Sequence, residues 1–185
     1  MTTPQRLPLR RGWLALLAAS MIAGCSSGDG GAARNENEIL IGHYASMTGG
    51  QATFGTSTDN GIKLAIKELN AGDGVNGKKL KLLTYDDKGD AKEAGSAVTR
   101  LVTKDKVDVV LGEVASSLSL AGAPVCQSNG VPMISPSSTN ERVTKVGDMI
   151  FRVCFIDSFQ GAVCAKFAFQ NEKMKARKVA ILYDQ

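Results

Sequence analysis

The chain has 185 residues, 22 Lys and Arg against 18 Asp and Glu, and a 43% share of hydrophobic side chains. The positive excess is local, because Arg6, Arg10 and Arg11 precede any acid, and beyond residue 24 the balance is 19 basic to 18 acidic. That near-neutrality excludes the basic face a nucleic-acid binder needs, and the 161 residues that follow amount to about one ordinary domain with enough apolar residues for a sizeable core.

Arg6, Arg10 and Arg11 are followed by an apolar run from Trp13 to Ile22 and then by Ala23-Gly24-Cys25. A charged stretch, a short hydrophobic run and small residues at a cleavage point form a secretory signal. The run is too short to span a bilayer, which takes about 20 apolar residues. Ile22-Ala23-Gly24-Cys25 resembles a bacterial lipobox. The resemblance implies a signal peptide over 1–24, export, and acylation of the Cys25 thiol (palmitate among the acyl groups) as the membrane anchor. The alternative is a plain secretory signal that contains a cysteine. Ser26 is not the aspartate associated with inner-membrane retention in enteric bacteria, so either membrane fits. From Ser26 to Asn37 the sequence SSGDGGAARNEN has no large apolar side chain and is expected to be a flexible tether. With Cys25 assigned to lipid, Cys126, Cys154 and Cys164 remain, and three thiols cannot all pair with one another. One disulfide or three free, packed cysteines both fit.

From Glu38 on, strand and helix signals alternate. Ile39–Gly42 reads as a strand and ASMTGGQATFG as the loop after it. Ile62, Leu64, Ala65, Ile66 and Leu69 recur at helical spacing and stop at Asn70-Ala71-Gly72. Val75–Lys78 is a turn, and Leu80–Tyr85 a strand ending at Asp86-Asp87. A helix over about 90–104 presents Ala94, Ala97, Val98, Leu101 and Val102 on one side. Val107–Gly112 is a strand, about 117–129 a helix, and Val131–Ile134 a strand. Met149–Val153 is a further strand, about 158–172 a helix, and Lys178–Tyr183 a last strand. This alternation predicts an α/β fold, a doubly wound parallel sheet with helices on both faces. A doubly wound domain rarely finishes on a strand with no crossover behind it, so the sequence is expected to be the front portion of a longer chain.

Ligands of open parallel sheets bind beyond the carboxyl ends of the strands. Those ends carry two hydroxyl-rich segments, Ser116-Ser117 and Ser135-Pro136-Ser137-Ser138-Thr139. The first opens a helix, whose free N–H groups and positive dipole end favour an anion, and hydroxyls both donate and accept. The pair suits a small carboxylate or zwitterion. The competing interpretation is that Ser116 or Ser117 caps the helix and that the serine run is turn chemistry. Other chemistry is not supported. Gly72, Gly77 and Lys78 have phosphate-loop spacing, but Lys79 stands in the Ser/Thr place and a strand follows. His43 is the only histidine, too few for a zinc site with scattered cysteines. Asp86-Asp87 reads as a loop-capping pair. No metal, no cofactor and no catalytic residue is assigned, and with no base beside a nucleophile the chain is not expected to be an enzyme.

The succession of these strands with NAGDGVNGKKLKLLTYDD, VDVVLGEVASS, NGVPMISPSST, FRVCFIDSFQG and KVAILYDQ resembles the branched-chain amino-acid (leucine)-binding proteins of ABC transporters, the type I periplasmic binding proteins. The resemblance covers about Glu38–Gln185. It implies two α/β lobes that close by a hinge on a small-molecule amino acid or related solute. The first lobe would occupy 38–155, and 156–185 would begin the second. It also implies delivery to an ABC permease in the inner membrane. The matching positions are Ser116 (hydroxyl and backbone to the carboxylate), Ser137 (backbone carbonyl to the ammonium) and Thr139 (hydroxyl to both). Phe54 stands where leucine-binding members carry an aromatic wall, and Ser117 lies beside Ser116. Gly89 and Ala115 stand where some members have a first-lobe disulfide, which is therefore not expected. The second lobe's contacts lie beyond Gln185, so this piece alone is expected to bind weakly if at all. The alternative function is a ligand-sensing receptor of the same fold acting in signalling.

Overall fold

A computed structural model of the chain describes residues 35–172 and 174–182. The expected leader over 1–24, the acylation site Cys25, the expected tether up to residue 34, and Tyr183 lie outside the described residues. Residues 35–37, the end of the expected tether, form a turn joined to the fold: Glu38 N–H donates to the Asn35 carbonyl and Lys79 N–H to that of Asn37.

The elements are β1 (Glu38–Ala45), α1 (Ala52–Ala71), β2 (Lys79–Asp86), α2 (Ala91–Thr99) with a π turn over Arg100–Lys104, β3 (Val109–Leu111), α3 (Ser116–Ser128), β4 (Met133–Ser135), β5 (Ile150–Arg152) and α4 (Asp157–Gln170). All pairings are parallel and the strand order is β2-β1-β3-β4-β5. Glu38 stands beside Lys79, Ile41 beside Val109, Val110 beside Met133, and Met133 beside Ile150. The strand order reverses direction between β1 and β3, which makes their carboxyl ends the crevice of the sheet. The predicted fold class is the observed one.

Alternating side chains of one strand face opposite sides, and β1 shows the division. Tyr44 joins Val110, Met133 and Ile150 under α2 and α3, where Ala94, Val98, Leu101, Leu118, Ala123 and Cys126 complete the main core. His43 lies on the other face, where Thr84 Oγ1 donates to Asp59 of α1. The five apolar positions expected along α2 are all buried. Asp90 starts that helix by accepting from the N–H groups of Lys92 at 2.8 Å and Glu93 at 3.1 Å.

Two sequence expectations change. The loop expected over 45–55 ends at Gln51, because α1 starts at Ala52. Gly55 permits this early start, since a Cβ there would meet the Ser46 carbonyl oxygen at 2.1 Å. The strand expected over 178–183 does not form in the described residues 178–182, where Val179, Ile181 and Leu182 are exposed. A strand needs a neighbour for its N–H and C=O groups, and this segment lies beside none in the five-stranded sheet.

Candidate functional site

The parallel register brings five loops to one edge of the sheet, and three of them are cross-linked by buried polar groups. After β3, Gly112 has φ +135, and a Cβ there would lie 2.4 Å from the Tyr44 carbonyl oxygen, so only glycine fits. The chain then places Glu113 in the interior. The Glu113 carbonyl accepts from Ser135 Oγ at 2.7 Å and Ser138 Oγ at 3.1 Å, and Ser137 Oγ donates to the Val114 carbonyl at 3.1 Å. Ser119 Oγ lies 2.8 Å from Ser138 Oγ and accepts from Glu113 N–H. Three serines of the 135–139 run therefore tie the β4 loop to the β3 loop.

The Glu113 carboxylate reaches the β1 loop. Oε1 accepts from Ser46 N–H at 3.1 Å, and Oε2 from Ala115 N–H. Ser46 Oγ stands 2.8 Å from Asp87 Oδ1 and 3.3 Å from Glu113 Oε1. Burial pushes the carboxyls of both Asp87 and Glu113 above their ordinary range. Asp86 behaves oppositely. Burial raises it, but the hydrogen bonds from Thr48 Oγ1 and from the N–H groups of Lys88, Met47 and Thr48 outweigh burial and hold it below the usual carboxylate range. Arg152 fixes the far side of the β4 loop. Its guanidinium donates to the carbonyls of Ser138 (2.9 Å), Asn140 (2.7 Å) and Glu141 (3.2 Å), and to Thr144 Oγ1 (2.7 Å).

Ser116, Ser137 and Thr139 come together on this scaffold. Ser116 is the first residue of α3, and Ala115 rather than a serine holds the cap position with no side-chain cap bond. The idea that Ser116 or Ser117 caps the helix is thereby corrected: Ser116 Oγ instead accepts from Asn140 N–H at 3.2 Å, one residue past Thr139. The Thr139 carbonyl accepts from Asp157 N–H. Among the described residues, the Ser116 hydroxyl hydrogen, the Thr139 hydroxyl and the Ser137 carbonyl have no protein partner. Ser117 is exposed on the first turn of α3. Phe54 lies on the first turn of α1, 63% exposed. A surface groove of about 670 Å³ along α2, lined by Lys92, Ser96, Thr99, Arg100 and Lys104, contains none of these residues.

His43 is fully buried, its Nδ1 lies 2.8 Å from the Leu111 carbonyl, and burial lowers its pKa. Among the described residues no group of three or more metal-ligating side chains occurs. Cys126 is buried, Cys154 half-buried and Cys164 exposed, and the three are free. The sequence reading gave Asp87 as half of a loop-capping pair, which its bonds to Ser46 and Gly89 make it, and missed Ser46, Glu113 and Arg152. Their partners are distant in sequence or are backbone atoms, and only the acidic pair Asp86-Asp87 gave a signal.

The family described as "Periplasmic binding protein" matches residues 38–185. The chain is 36% identical over 171 residues to a leucine-, isoleucine-, valine-, threonine- and alanine-binding protein of Pseudomonas aeruginosa, covering 92% of this chain and 44% of that one. It resembles a leucine-binding protein structure from Thermotoga maritima at TM-score 0.67 and 42% identity, covering 72% of this chain and 37% of that one. It also resembles an ABC-transporter solute-binding protein from Rhodopseudomonas palustris in complex with 3,4-dihydroxybenzoic acid, at TM-score 0.69 and 31% identity, over 74% and 37% of the two chains. This chain therefore spans less than half the length of such relatives. With the sheet order, the strand-end site and a match over four-fifths of its length, the chain belongs to the periplasmic binding protein family.

Proposed function

We propose that residues 38–155 form the carboxylate-reading lobe of an exported solute-binding lipoprotein, which presents a small amino acid to an ABC permease. Residues 156–185 begin the second lobe in this reading, and Cys25 carries the lipid that keeps the receptor on the periplasmic side of a membrane. The observation that carries the proposal is the set of unspent polar atoms at the start of α3. The Ser116 hydroxyl and the first N–H groups of the helix face an anion favourably, with Thr139 one residue from the Asn140 that Ser116 binds. The Ser137 carbonyl supplies an acceptor for an ammonium, while its hydroxyl is occupied by Val114. Exposed Phe54 offers an apolar wall.

The two ligand types named for similar proteins, aliphatic amino acids and a benzoic acid, share a carboxylate. That favours carboxylate recognition as the task of this lobe, with side-chain selection shared between Phe54 and the other lobe. Closure on the ligand couples binding to a hinge motion. The test is thermal-shift screening of the full-length, lipid-free protein against leucine, isoleucine, valine, their amides and benzoic acids. A ligand at 100 times its Kd adds about 2.7 kcal/mol of stability. Shifts by free acids that vanish in Ser116→Ala/Thr139→Ala support the reading, and equal shifts by the amides sink it. Palmitate labelling lost in Cys25→Ser checks the anchor.

A further inference from the structure

Asp87 and Glu113 are 0% and 1% exposed, and both lie against a single hydroxyl, Ser46 Oγ. Ser46 Oγ has one hydrogen and can donate to only one of them. Among the described residues neither carboxylate meets a Lys or Arg at ion-pair distance. Two buried unpaired negative charges this close are prohibitive, so such a pair retains a proton. Their partners are unequal. Each Glu113 oxygen accepts a backbone N–H, from Ser46 and from Ala115. On Asp87, Oδ1 accepts from Ser46 Oγ and Gly89 N–H, while Oδ2 is buried with no partner among the described residues.

We propose that the pair holds a single proton at neutral pH, on Asp87 Oδ2, and that Glu113, kept as a carboxylate, is the positioning residue of the ligand-facing loops. Its carboxylate spans the β1 and β3 loops, and its carbonyl receives the serines of the β4 loop, so one residue sets the separation of all three. The ligand part rests on the carboxylate-reading function above; the proton does not.

The charged and titratable neighbours agree with this assignment. On β1, His43 gives its Nδ1–H to Leu111 and is held neutral by burial, so it supplies no counter-charge. Asp59 and Lys63 of α1 pair with each other behind it. Asp86, next to Asp87, is held ionised by its four hydrogen bonds and disfavours a second charge. Tyr44 and Cys126, on the α2–α3 side, are both pushed up by burial and stay neutral.

The test exploits the asymmetry. Asp87→Asn mimics the protonated acid: its carbonyl keeps Ser46 and Gly89, and its NH2 takes the place of protonated Oδ2. Glu113→Gln cannot mimic the carboxylate, because either amide orientation sets NH2 against the N–H of Ala115 or of Ser46. In the infrared spectrum of the full chain in D2O at pH 7, a carboxylic-acid carbonyl band should be present in the wild type and absent in D87N. A group whose folded pKa is raised contributes stability that is present below its unfolded value and lost as pH rises toward the folded one. The urea midpoint of the wild type should therefore fall relative to D87N as pH rises above 3.8, while E113Q is less stable than both throughout. In the full-length, lipid-free protein, L-leucine affinity by calorimetry should fall about tenfold or more in E113Q and stay within about twofold in D87N.

An absent band, a band indifferent to D87N, or equal effects of the two substitutions overturns the proposal. If E113Q fails to fold, the infrared and pH comparison of wild type with D87N decides. If the wild type binds neither leucine nor any other free acid, the functional reading falls while the infrared result still judges the proton.

Discussion

Two apolar-rich stretches of this chain have opposite environments. Between Glu38 and Arg152, most large apolar side chains outside α1 collect under α2 and α3, while Phe54, Leu64 and Leu69 of α1 stay exposed, and the loops at the strand ends are stapled by buried serines, carboxylates and one arginine. From Asp157 onward α4 buries no residue, and Phe159, Val163, Phe167 and Phe169 are all exposed, followed by Ile181 and a 99% exposed Leu182. Apolar side chains gain stability only when something removes them from water, at about 25 cal/mol per Å². The first stretch carries its own partners, and the second presents an apolar surface of the kind that marks an interaction site. The proposed second lobe is its natural cover.

The largest test of this contrast pairs one substitution from each stretch. Leu101 is fully buried between α2 and the sheet. Leu101→Ala should cost about 2–5 kcal/mol of unfolding free energy in this chain, from lost transfer and an unfilled cavity. Phe167 is 58% exposed, and Phe167→Ser should stay within about 0.5 kcal/mol. Urea denaturation of both variants measures the difference. Comparable losses would mean that α4 is packed, and the contrast would collapse. In the full-length protein the same Phe167→Ser should become costly if the second lobe covers it.

A smaller effect probes the stapled edge. Arg152→Met keeps much of the stem but leaves the carbonyls of Ser138, Asn140 and Glu141 without their donor. Hydrogen bonds from a charged group are worth about 1.5–3 kcal/mol each at most, and water can replace part of the loss, so about 1–2 kcal/mol is expected in total. Ligand affinity in the full-length protein should fall with it, because Thr139 sits between two of the released carbonyls. Unchanged affinity would detach the β4 loop from binding.

What the sequence made legible follows from what is local. The side of α2 formed by Ala94, Ala97, Val98, Leu101 and Val102 has helical spacing, and each of these residues is buried. Hydroxyls after β3 and β4 come to one edge of the sheet because parallel topology places all carboxyl ends together. The scaffold behind them was not legible. Ser46 meets Asp87 across 41 positions and Glu113 across 67, and no spacing rule connects them. Arg152 binds mainly carbonyls, which every residue has. The early start of α1 was hidden by Gly55, whose glycine signals a loop but serves close packing on Ser46. The expected last strand has strand composition but no strand beside it, and pairing is what makes a strand.

The smallest effect in free energy is the most direct probe of what covers α4. Burial pushes the Cys126 thiol up to about 12, so at pH 8 about one molecule in ten thousand carries the reactive thiolate there. Cys164, on α4, is exposed. A thiol reagent at pH 8 should label Cys164 rapidly in this chain, Cys154 more slowly, and Cys126 only on unfolding. Cys164→Ser should remove the fast phase without moving the urea midpoint by more than about 0.5 kcal/mol. In the full-length protein, a second lobe packed on α4 predicts that the fast phase slows to the rate of local opening. If Cys164 reacts equally fast in both, the face of α4 around it stays open to solvent, and the second lobe begins elsewhere than at this helix.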